Sequence, residues 1–241
     1  MRIALLSDVH ANIDALRAVL ADLDRRQVDV RVCLGDSVGY GPEPRECLDL
    51  LLESCATVLA GNHDLAASGR LGYARFSSIA RDAVEFARQR LTPALRSRLG
   101  ELPDEENLGD LLLVHASPTR PRDYAYVRDT AAALEQFDSH PFRIAFYGHT
   151  HMPVVFRDDG EQVTLSLQPS VKLLPAGRYL CNVGSIGQPR DQDPRACYAI
   201  HDSTAQTIAF HRVEYDVDAA SSRIRDAGLP EQLATRLLVG V

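Results

Sequence analysis

The chain has 241 residues, 45% hydrophobic and 24% charged, ordinary for a soluble globular enzyme and long enough to bury a substantial core. Its formal net charge of −7 excludes a global basic footprint for nucleic acid, so stable nucleic-acid binding is not expected, although a local site can still attract a small anion. No apolar run reaches the length of a membrane span, and "MRIALLSDVH" is too short an apolar run for a signal peptide.

In chain order, "RIALLS" (Arg2 to Ser7) reads as a short buried strand. In "NIDALRAVLADLDRR", Leu16, Val19, Leu20 and Leu23 recur at helical spacing. "VDVRVCLGD" is a β-branched run and so a second strand, "PEPRECLDLLLES" a second helix with prolines suited to its first turn, and "ATVLAGNHD" a third strand. This βαβαβ pattern implies parallel strands with right-handed crossovers. Residues 66 to 108 are helical and arginine-rich without a strand signal. "DLLLVHAS" and "RIAFYGHTH" return as strands around a helix at "DTAAALEQF". Beyond Pro153 come a hairpin signal at Asp159-Gly160, the strands "RYLCNVGS", "RACYAIHD" and "QTIAFHRVEY", and one last helix over "SSRIRDAGLPEQLATRLL". With no repeat or linker, residues 1–241 read as a single domain. The five cysteines are odd in number, lack CxxC spacing and read as reduced thiols of a cytoplasmic protein.

Five of the apolar strands stop at a residue able to bind a metal. "LLSDVH" ends in Asp8 and His10, "VCLGD" in Asp36, "VLAGNH" in Asn62 and His63, "LLLVH" in His115, and "AFYGHTH" in His149 and His151. One such stop is an ordinary turn, but five in chain order are hard to obtain from turns. In a parallel sheet these residues gather along one rim. In an extended backbone, the pairs 8/10 and 149/151 would each point one way. Asp8, His10, Asp36, Asn62, His115, His149 and His151 are too many ligands for one tetrahedral site and suit two cations sharing a carboxylate. An oxygen and imidazole set favours Mn, Fe, Zn, Co or Ni. Two divalent ions against two aspartates leave a positive centre, suited to phosphate.

The motifs "DVH", "GD", "GNHD", "VHAS" and "GHTH", from Asp8 to His151, resemble the ordered signature of the calcineurin-like metallophosphoesterases. "GDSVGYGPEP" and "NVGSIGQPRDQDPRACYAI" are similar to a bacterial branch of about this length. The resemblance implies an α/β fold, a four-layer α-β-β-α sandwich of two mixed β-sheets flanked by helices. It also implies that Asp8, His10 and His151 hold one metal, that Asn62, His115 and His149 hold the other, and that Asp36 bridges them, with manganese favoured.

The expected activity is hydrolysis of a small soluble phosphate ester, with a nucleotide among the candidate substrates. A metal-activated water attacks phosphorus, His63 is the general acid for the leaving group, and Asp64 orients its ring. A symmetrical dinucleoside-polyphosphate hydrolase is the alternative activity, and a silent metal-binding interaction module the non-enzymatic one. Candidate substrate contacts are Tyr40, which follows Asp36 in "VGYGP", and Arg190 and Arg195 in "QPRDQDPRA", where guanidinium forks suit a distal phosphate. Segment 66–108, opening with Arg70, Tyr73 and Arg75, is a candidate lid.

Overall fold

The alternation of buried side chains along each central strand decides the architecture. In the computed structural model, which describes residues 1–241, strand β1 (Arg2–Leu6) turns Ile3 and Leu5 to one apolar cluster and Ala4 and Leu6 to another. A strand buried on both faces must be covered on both: here a second sheet packs against one face and helices against the other. The first sheet runs β3 (Thr57–Val58), β2 (Val30–Cys33), β1, β11 (Ala196–Asp202), β12 (Thr207–Val213) and β9 (Ser170–Lys172). The second runs β4 (Glu105–Leu108), β5 (Leu111–Val114), β6 (Ile144–Tyr147), β10 (Arg178–Asn182), β7 (Val154–Asp158) and β8 (Val163–Ser166). Both are mixed: β1, β2 and β3 are parallel while β11 and β12 are antiparallel, and β5, β6 and β10 are parallel while β4, β7 and β8 are antiparallel.

Between the sheets lie Ile3, Leu5, Val32, Leu113, Phe146, Tyr179 and Ala199. Helices α1 (Ile13–Arg26) and α2 (Pro44–Ser54) cover the outer face of the first sheet, where Leu16, Val19, Leu23 and Leu48 meet Leu6 and Tyr198. Helix α6 (Thr130–Ser139) covers the second sheet with Ala133 and Phe137 against Tyr147 and Phe156. The result is the α/β fold of two mixed six-stranded sheets flanked by helices that the motifs implied.

Three elements differ from the sequence reading. The third strand is two residues long, and Asn62 opens a helix, α3 (Asn62–Ser68), with Gly61 at its N-cap and Asp64 accepting from the Gly61 N–H at 3.0 Å. Segment 66–108 holds α4 (Ser78–Arg90) and α5 (Pro93–Glu101), and its end forms β4, which pairs with β5 through short-range antiparallel contact that its polar sequence does not advertise. The last helix is two, α7 (Val217–Asp226) and α8 (Glu231–Val239), because Gly228 takes left-handed backbone (φ +74°) and Pro230 lacks an N–H to continue the first. No helix is long and apolar enough to cross a membrane, and all five cysteines are free.

Candidate metal centre

The five strand ends deliver their polar residues to one rim, by a local geometry the pleat does not explain. Asp8, His10, Asp36, His149 and His151 all hold left-handed backbone, with φ between 48° and 63°. The pairs 8/10 and 149/151 therefore converge through tight left-handed turns, not through an extended strand. Such backbone is costly for residues with a Cβ and clusters where function requires it. The glycines of the motifs permit the close approach. A Cβ at Gly61 would overlap Asp36 Oδ1, and one at Gly148 would overlap Ser7 Oγ and Asp8 Oδ2.

All seven expected ligands come together, each at most 7% exposed. Asp8, His10 and His151 place one ligand atom each within 4.8 Å of the others, and so do Asp36, His115 and His149. Asp36 Oδ2 lies between the two groups, 3.6 Å from His10 Nε2 and 3.4 Å from His115 Nε2. Asn62 Oδ1 is 3.3 Å from His115 Nε2.

Backbone carbonyls fix the tautomers, since a carbonyl can only accept. Nδ1 of His10 donates to Val38 O (3.1 Å), of His115 to Leu34 O (3.0 Å) and of His151 to Gln188 O (2.6 Å). Nε2 of His149 donates to Tyr124 O (3.0 Å). In its neutral form each ring thus turns a lone pair inward, as a metal-binding imidazole must. His10 Nε2 and His151 Nε2 stand 3.1 Å apart, and the buried Asp8 Oδ1 accepts no hydrogen bond. A buried carboxylate oxygen without a donor is expensive unless a cation faces it. The residues therefore fit a divalent cation, and the shared position of Asp36 fits two.

The electrostatics agree. Burial pushes the Asp8 and Asp36 carboxyls up, but the imidazoles of His151 and His115 hold both well below the usual range. Burial lowers His115, yet Asp36 beside it lifts the ring to about 9. The carboxylates thus create a demand for positive charge that a proton on His115 meets and that a divalent cation would meet more fully.

A cleft of about 730 Å³ opens over these groups. His63 lines it, 4% exposed, with its ring centroid 5.0 Å from His10, 4.5 Å from Tyr40 and 5.3 Å from Phe76. Its Nδ1 is enclosed without a partner, and burial holds the ring down at about 4 despite Asp36. Asp64 does not meet that ring in a hydrogen bond. Its carboxylate accepts from the backbone N–H groups of Ser37 (3.2 Å), Val38 (3.2 Å) and Gly61 (3.0 Å), tying the Asp36 and Asn62 loops together. Tyr40 and Arg190 line the cleft. Arg195 does not, because Asp193 two residues earlier captures its guanidinium at 3.0 and 2.7 Å.

Sequence reasoning missed much of the wall. Arg122, Tyr124 and Tyr126 come from a loop without periodicity, and Phe76 from the start of the helical segment. Tyr126 stacks on His149 at 4.4 Å, 19° from parallel.

Residues 1–206 match the sequence profile described as the calcineurin-like phosphoesterase superfamily domain. An uncharacterised protein of Methanocaldococcus jannaschii is 34% identical over 99% of this chain and 98% of that relative. The crystal structure of a metallophosphoesterase from Sphaerobacter thermophilus superposes with a TM-score of 0.88 at 41% identity, covering 100% of this chain and 99% of the other. A hypothetical protein from Pyrococcus horikoshii shares the fold with a TM-score of 0.81 at 20% identity, covering 100% and 98%.

Proposed function

The chain belongs to the calcineurin-like phosphoesterase superfamily and is a metal-dependent phosphoester hydrolase, and from that premise we propose that it uses two divalent cations, manganese favoured, to hydrolyse a small soluble phosphate ester. The observation that carries this reading is the placement of Asp36 Oδ2 between His10 and His115 while the buried Asp8 Oδ1 lacks any donor. Asp8, His10 and His151 would hold one ion, Asn62, His115 and His149 the other, with Asp36 shared. Ions bound there would supply Lewis acidity to the phosphoryl oxygens and an acidified water as nucleophile.

The chain's own residues do the rest. His63 faces the cleft beside the first group and would give a proton to the leaving oxygen. Its burial favours the neutral ring, but an entering phosphate brings the negative charge that favours the imidazolium. Asp64 acts at one remove, pinning by three backbone bonds the two loops that carry Asp36 and His63. Tyr126 stacks on the His149 ring and would help hold its orientation. His63→Gln should keep its metal content and lose about 10²- to 10⁴-fold in kcat on an ester with a poor leaving group. Unchanged turnover with an intact metal complement would remove His63 from proton transfer.

A further inference from the structure

Two arginines joined through Gln188, one of them lining the cleft, have no carboxylate to neutralise them. Arg190 lines the cleft, and its Nη2 donates to Gln188 Oε1 at 2.8 Å. Arg236, from the last turn of α8, sends Nη1 to the same oxygen at 3.3 Å. Neither forms an ion pair, whereas Arg195, Arg212, Arg223 and Arg225 in the same C-terminal part of the chain all do. The Nε of Arg190 is buried without an acceptor. Two guanidiniums on one amide oxygen repel each other, and an orphaned buried donor costs stability, so the arrangement stands only where something else is gained. Burial and Arg190 together hold the Arg236 guanidinium below its usual range.

The pair is wired to the candidate centre. Gln188 is 1% exposed, and its backbone carbonyl accepts from His151 Nδ1 while its side chain joins the arginines. The Arg190 guanidinium lies 5.8 Å from the Tyr40 ring centroid, and Tyr40 touches both His10 and His63. Family motifs do not account for α8, because the matching profile ends at residue 206. An anion placed against Arg190 would satisfy its orphaned Nε and screen the repulsion from Arg236. A second phosphate on the same molecule would fill that place while the first stays at the candidate centre, since both line one cleft.

We propose that Arg190 contacts, and Arg236 positions and charges through Gln188, a subsite for a second, non-hydrolysed phosphate, so that the preferred substrate carries at least two phosphate groups. This rests on the phosphoesterase reading above for the scissile group only. The second phosphate is either linked by an anhydride to the first or borne elsewhere on the same small molecule.

Competition against bis-p-nitrophenyl phosphate hydrolysis by the full, metal-loaded chain tests it. Methylenediphosphonate should inhibit at about tenfold lower concentration than methylphosphonate if the phosphates are chain-linked. Adenosine 3′,5′-bisphosphate should show that advantage over AMP if they are borne separately. Either advantage should collapse in R190Q and R236Q and largely persist in R236K, because charge rather than packing supplies it. No advantage in wild type for either pair, or one that survives in both glutamine variants, overturns the subsite while leaving the phosphoesterase reading intact. If the wild type hydrolyses no ester with any metal, that reading fails instead, and calorimetric titration of pyrophosphate into the chelator-treated chain decides the subsite. Binding weakened about tenfold in R236Q supports it. Equal binding in wild type and R236Q, or none in either, overturns it.

Discussion

At the scale of single residues, the chain separates buried polar groups that have a use from those that merely endure. Asp8 Oδ1 and Arg190 Nε are buried without partners; Asp8 belongs to the ligand group with His10 and His151, and Arg190 lines the cleft. His201 is different. It is 3% exposed on β11, neither ring nitrogen has a partner, and its ring lies 5.8 Å from Phe146. Burial lowers its pKa; Asp202 opposes this, while the N-terminal ammonium and Arg143 reinforce it. Folded chains therefore keep the ring neutral below the pH at which unfolded chains protonate it, near 6.5. The sign follows: nothing is lost above that pH, and stability falls as pH drops below it, by at most about 1.4 kcal/mol per unit until the folded pKa is passed. His201→Leu should narrow the difference in Tm between pH 7 and pH 5. An equal difference in variant and wild type would show that His201 does not titrate on unfolding.

At the scale of elements, the helical segment is less free than its composition suggests. Ala83 of α4 is buried in one cluster with Ala220, Ile224 and Leu233 of α7 and α8, and Ala87 joins the cluster under α1 and α2. What remains at the cleft is the stretch 71–77 with Ala80, including the exposed Arg75 and the ring of Phe76 against His63. We take that stretch, not the whole of 66–108, as the covering lid. Tryptic cleavage after Arg75 should slow several-fold when manganese and orthophosphate are added together, since closure hides the backbone a protease must open. The same cleavage rate with and without them would mean a fixed wall. Elements also show where sequence reading stops. The strand ends were legible because an apolar run stopping at Asp or His is a local pattern. That Asn62 starts a helix was less so, because the cap depends on Asp64 reaching back to Gly61. The separate α8 was readable from Gly228 and Pro230, but its role was not. Arg236 meets Gln188 across 48 residues of chain, and no spacing rule covers that distance. Arg195 misled for the opposite reason: a motif-like position was already taken by its neighbour Asp193.

At the scale of the molecule, two sheets packed face to face carry their parallel strand ends to one rim, and that convergence makes the centre. β1, β2 and β3 of one sheet bring Asp8, His10, Asp36 and Asn62, and β5 and β6 of the other bring His115, His149 and His151. Neither sheet alone has a complete set, and Asp36 Oδ2 from one sheet, 3.4 Å from His115 Nε2 of the other, is where the two halves of the sandwich meet. A net charge of −7 is compatible with an anionic substrate, because a local site can be positive on an acidic protein. The most direct measurement is anomalous diffraction from crystals of the full chain grown with manganese. Two peaks are expected in the rim, both within coordinating distance of Asp36, one also touching Asp8, His10 and His151 and the other Asn62, His115 and His149. A single peak, or manganese bound away from Asp36, would contradict a shared two-cation centre.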